Sequence, residues 1–131
     1  MLFHSFESQE ERRNYGGFYF IEIQFCDMPF QSEINDSSNI FNFQNWRNDS
    51  LYVCGDDDNV FYNEYKHYFD CGIYANLKTG IVDLHGINYY SPDLIEPIIE
   101  KIVKGMPKDY EIIAEWLNKA KLHNGFYILG L

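Results

Sequence analysis

Hydrophobic and polar residues alternate without a break over residues 18–26, FYFIEIQFC. Tyr19, Ile21, Ile23 and Phe25 fall on one side, Glu22 and Gln24 on the other. A period of two with polar positions turned outward predicts a strand with one wet face, which suits an antiparallel or mixed sheet better than a doubly covered parallel one. Gly16-Gly17 serves as the turn before it. Residues 29–48 lose this pattern. They are rich in Asn, Ser, Asp and Gln around isolated Ile34, Ile40, Phe41, Phe43 and Trp46, and read as a loop followed by a strand near 40–44. LYVC (51–54) predicts a short strand, and GDDDN (55–59) has the residues of a turn. HYFDCGIYAN (67–76) and IVDLHGI (81–87) predict a hairpin through LKTG, with Gly80 available for a left-handed or bulge position.

The period then changes. SPDLIEPIIEKIVKG places Leu94, Ile95, Ile98, Ile99, Ile102 and Val103 at helical spacing, with Gly105 as its stop. Asp93 as cap with Glu96 as its partner leaves Pro97 removing only one early hydrogen bond. A second helix is predicted over Pro107 to Leu122, with Ile112, Ile113, Trp116, Leu117 and Ala120 inward and Asn124-Gly125 ending it. FYILGL closes the chain as a strand. Strands first, helices later and a final strand returning to the sheet predict a single α+β domain over 1–131: a mixed or mainly antiparallel sheet with the two C-terminal helices on one face.

The 131 residues, 46% of them hydrophobic, can bury a core without disulfide or metal staples. A Phe-rich core explains most of the 11 Phe, 11 Tyr and 2 Trp, and any surplus of Tyr, which combines apolar area with a polar tip, suits a binding surface. A net charge of −10 argues against nucleic-acid or anionic-membrane ligands, which require a basic footprint. The excess is concentrated. Residues 22–64 hold nine acids and one base, Arg47, which makes either a solubilising face or one that steers a basic partner. Three cysteines without a short-spaced pair point to reduced thiols, and with no signal-like N-terminus or membrane-length apolar run the expected compartment is the cytoplasm.

Catalytic and metal motifs are weak. Asp56, Asp57 and Asp58 are adjacent, so an extended chain turns them apart, and Glu64 comes too early to close a calcium loop. Cys54, His67, Cys71 and His85 are an unconvincing zinc set if 67–76 is a strand. Asp83 and His85 share a strand face as the orienting half of a general-base pair, but no nucleophile accompanies them. A small metal-assisted hydrolase using Asp83, His85 and the aspartates, or a plain acidic interaction module, are the alternatives. The expectation is a non-enzymatic protein with no metal or cofactor, whose partner-binding face comprises Asp56, Asp57, Asp58, Tyr62, Glu64, Tyr65, Tyr68 and Asp70. Carboxylates there would attract guanidinium and ammonium groups, and tyrosines would add rigid contact area.

CGIYANLKTGIVDLHGINYYSPDLIEPIIEKI (71–102), PKDYEIIAEWLNKA (107–120) and the ending NGFYILGL (124–131) resemble the small immunity proteins encoded beside contact-dependent growth-inhibition toxins in bacteria. The resemblance covers mainly the last 65 residues. It implies a cytosolic protein that binds and blocks the C-terminal toxin domain of a large secreted partner. Toxins of this group are often nucleases, including transfer-RNA-cleaving ones, and some engage elongation factor Tu. The implied partners are therefore a basic toxin domain and, within a toxin complex, elongation factor Tu.

Overall fold

The computed structural model describes residues 1–17, 19–29, 33–34 and 39–130. Strands β1 (Phe20–Phe25), β2 (Leu51–Cys54), β3 (Gly72–Tyr74), β4 (Thr79–Gly80), β5 (Ile87–Tyr90) and β6 (Phe126–Leu129) form one antiparallel sheet in the order β2-β1-β6-β5-β3-β4. With helices α1 (Gln9–Tyr15), α2 (Asp58–Tyr65), α3 (Ile95–Gly105) and α4 (Tyr110–Ala120), the architecture is α+β. The last strand enters the middle of the sheet. β6 pairs with β1 through Phe25↔Phe126 and with β5 through Tyr90↔Phe126, and all four of its residues are buried.

One sheet face carries the main core. Ile21, Ile23, Phe25, Val53, Tyr90 and Ile128 pack there against Phe61 and Tyr65 of α2, the Ile95-Ile98-Ile99-Ile102 stripe of α3 and the Ile113-Trp116-Leu117-Ala120 stripe of α4. Ile21 and Ile23 are 0% exposed, and burying each contributes about 2 kcal/mol before entropy is charged against it. Phe25 is sandwiched between Trp116 and His123, each ring 4.2 Å away and nearly parallel. Ile112, expected inside, is only half-buried.

The opposite face is not wet. Glu22 and Gln24 point there as the alternation requires, yet both are buried. The covering layer is the 39–50 loop together with α1. Gln24 Nε2 donates to the Gln44 carbonyl at 3.0 Å and Gln24 Oε1 accepts the Gln44 N–H at 2.8 Å, so a side-chain amide does for the loop what a neighbouring strand would do. This pairing replaces the strand expected at 40–44, which is a turn followed by irregular chain. Part of the expected 29–48 loop lies outside the described residues.

Three other local expectations are corrected. GDDDN does not reverse the chain between strands: Gly55–Asp57 form a 3₁₀ turn that runs directly into α2. The hairpin is shorter than expected, β3 pairing with a two-residue β4, and 81–86 form no strand. Leu77 (φ 68°), rather than Gly80, takes its left-handed position, while Gly80 lies under the Tyr74 hydroxyl. A 3₁₀ turn at Pro92–Leu94 precedes α3, and Asp93 makes no capping bond. Pro97 is the third residue of α3, where an N–H would have no intrahelical acceptor, so it costs little. Asp109 enters α4 at φ 56° and uses Oδ2 to accept the Leu2 N–H at 2.7 Å, tying the N-terminal segment to the helical layer.

Candidate binding surface

α2 is amphipathic along its own axis. Phe61 and Tyr65 face the core, and Phe69 continues their spacing after the helix, while Val60, Glu64 and His67 follow the outer face. Gly55 starts the segment because the Tyr19 ring leaves no room for a side chain: a Cβ there would lie 2.6 Å from the ring. Asp56 and Asp57 occupy the 3₁₀ turn and Asp58 the first turn of α2, where carboxylates oppose the positive end of the helix dipole. Helix chemistry thus explains part of the aspartate run without any ligand.

The eight expected face residues separate into three groups. Asp56, Glu64 and Asp70 are exposed, with Asp57 and Tyr62 half-exposed beside them. Asp58 is half-buried, and its Oδ2 accepts the Tyr19 hydroxyl at 2.5 Å; that bond is the main reason the Tyr19 pKa is raised. Tyr65 does not belong to the surface. It is 0% exposed, ringed by Phe3, Phe61 and Phe69, and its hydroxyl donates to the Lys108 carbonyl at 2.5 Å. Tyr68 packs edge-on against Tyr65 with its hydroxyl over Gly105, so it supports the surface from below. Tyr62 carries the Lys66 ammonium 5.2 Å from its ring centre, and Glu64 accepts the Lys108 N–H at 2.8 Å.

The acidity of residues 22–64 is divided in the same way. Glu22 is buried, and Asp27 and Asp49 both pair with Arg47. Among the described residues the remaining ion pair is Lys121 with Glu96, so Asp56, Asp57, Glu64 and Asp70 present their charge unneutralised. α2 alone spans about 12 Å of this patch. Exposed Val60 lies within it.

Asp83 and His85 lie in a turn rather than on a strand, and Asp83 Oδ1 accepts the backbone N–H of His85 at 2.9 Å instead of orienting its ring. No group of three or more His, Cys, Asp or Glu is arranged to hold a metal ion among the described residues, which separates Cys54, His67, Cys71 and His85. No helix among them is long and apolar enough to cross a membrane.

Alternation alone concealed one further group. Glu22 Oε2 accepts from Gln24 Nε2 (2.9 Å), the Arg47 N–H (3.1 Å) and Ser50 Oγ (2.7 Å). The Tyr52 hydroxyl lies 3.1 Å from the same oxygen and 2.7 Å from the Arg47 carbonyl, and its single proton serves one of them at a time. Burial raises the Glu22 pKa, with these hydrogen bonds and Arg12 acting in the opposite direction. Comparison with protein-family models, with curated proteins and with solved structures gave no match to this chain.

Proposed function

We propose that this chain is an immunity protein that neutralises a basic toxin domain by non-covalent occlusion. The observation that carries the reading is the set of carboxylates on the 3₁₀ turn, α2 and the segment after it, Asp56, Asp57, Glu64 and Asp70, exposed or half-exposed and without ion-pair partners among the described residues. A nuclease must carry positive charge to hold phosphate, and carboxylates in the same cleft stand in for that phosphate. Charge complementarity supplies encounter rate and partner choice, while Val60 and Tyr62 supply apolar contact that water-exposed charges cannot. The resemblance of residues 71–131 to immunity proteins supports the same reading from a different part of the chain, and no chemical step is required of the protein.

Co-expression tests it. This chain is produced with the C-terminal domain of the large protein encoded immediately upstream, with only one of the two tagged. The expected result is a stoichiometric complex, and toxicity when this chain is omitted; elongation factor Tu in the eluate would identify it as a component of the toxin complex. A harmless neighbour that fails to co-elute would sink the proposal.

A further inference from the structure

On the sheet face covered by α1 and the loop, opposite the face that carries α2, a cleft of about 320 Å³ brings together two groups of opposite charge that form no ion pair with each other. Its floor is the sheet at Glu22 and Leu129, one wall is α1 at Arg12, and the other is the loop at Phe43, Gln44 and Asn45. Glu22 is 5% exposed, and every hydrogen bond it receives among the described residues ends on Oε2. Oε1 is left for the cleft that the residue lines. Arg12 forms no ion pair among the described residues and rests over the rings of Phe20 and Tyr52, 6.0 and 5.5 Å from their centres.

We propose that this cleft binds a free α-amino acid, with Glu22 Oε1 accepting from its ammonium group and the Arg12 guanidinium donating to its carboxylate. The charge pattern selects the class. Glu22 keeps one carboxylate oxygen without a hydrogen bond and Arg12 has no ion-pair partner among the described residues, and a zwitterion supplies a charge-assisted contact to each at once. A simple cation would leave Arg12 facing like charge, and a simple anion would do the same to Glu22. The donors fixed on Oε2 hold the carboxylate in one orientation, so the acceptor is in place before the ligand arrives. The remaining lining mixes Phe20, Phe43 and Leu129 with the amides of Gln9, Gln44 and Asn45, which suits a small side chain with both apolar and hydrogen-bonding parts, and the cleft volume lies at the small end of ligand sites. A second cavity, of about 610 Å³ beside Cys71 and Ile73, lacks this pairing: its charged lining residues, Glu33 and Asp93, are both acidic.

Calorimetric titration of the full chain with each of the twenty amino acids, with the N-acetyl and C-amide forms of any that bind, tests the proposal. Saturable one-to-one binding by at least one amino acid is expected, lost when either end is blocked. Arg12→Gln and Glu22→Gln should each weaken it by about tenfold or more, the loss of one charge-assisted contact. Arg12 is half-exposed on a surface helix, so its substitution reads binding even if Glu22→Gln disturbs the loop. Absence of heat up to about 10 mM ligand, beyond the weak end of specific recognition, overturns the proposal. So does binding that ignores blocked termini or the Arg12 change. The outcome is independent of toxin binding, which uses α2.

Discussion

Tyr65 and Glu22 are both buried in the folded chain. Tyr65 looks like one of several surface tyrosines but is locked among Phe3, Phe61 and Phe69 with its hydroxyl satisfied by Lys108. Tyr65→Ala should therefore cost about 3 to 5 kcal/mol in urea unfolding, as large aromatic truncations in cores do; a loss under 1 kcal/mol would return Tyr65 to the surface. Glu22 looks solvated but is buried with a raised pKa. In the interval between its unfolded and folded pKa values the folded chain binds the proton more than the unfolded chain does. Its contribution is therefore fully present below the unfolded value and is lost as pH rises through the folded one. Measured from roughly pH 4 to 8, the stability of the wild type relative to Glu22→Gln should fall as pH increases. A difference that does not move with pH would mean that Glu22 titrates as an ordinary carboxylate.

Among the elements, β1, β2, α3, α4 and β6 are readable because each is long enough for its period to show, or is bounded by residues with a conformational reason to be there. Gly125 is the clearest of these. It takes φ +85° and a Cβ would lie 2.1 Å from the Tyr90 carbonyl, so Gly125→Ala should cost more than about 1 kcal/mol and loosen the β5–β6 pairing. A melting temperature within error of wild type would contradict this. α2 was legible in principle: Phe61, Tyr65 and Phe69 recur every four residues, but the Gly-Asp-Asp-Asp-Asn run ahead of them has the composition of a turn, and both turns and helix starts favour such residues for the same reason, free backbone donors. α1 carried a signal too, Ser8 capping the Glu11 N–H at 3.0 Å and Glu11 accepting from Glu7. The 81–86 segment misled because its alternation is real, while Asn88 takes over its backbone groups, accepting the Asp83 N–H and donating to the Asp83 carbonyl.

At the scale of the whole molecule the two ends of the chain hold the structure together. His4 bridges the outer side of β2 at Tyr52, closing that sheet edge, and β6 lies between β1 and β5. Removing residues 126–131 should split the sheet and leave no cooperatively folded species by circular dichroism and amide dispersion; a truncated chain with a native unfolding transition would refute this. Charge acts at the same scale. Replacing Asp56, Asp57 and Asp58 with Asn should change unfolding little, apart from the Tyr19 bond to Asp58, yet slow association with the basic toxin domain proposed as its partner and flatten its dependence on salt. Association kinetics unchanged at low ionic strength would take these residues out of the interface.

By itself the sequence determined the α+β class, the faces of β1 and of the two C-terminal helices, and an acidic stretch between residues 22 and 64, since period and charge are properties of neighbours along the chain. Tertiary structure alone decided which of these acids keep an unneutralised charge. Asp27 and Asp49 are spent on Arg47, Glu22 is enclosed by a loop from more than twenty residues away, and Asp58 is tied to Tyr19. It also decided that both faces of the sheet are covered. A polar alternation reports only that one side of a strand is polar, and water or a hydrogen-bonding loop satisfies that side equally well; the choice is made where Gln44 meets Gln24.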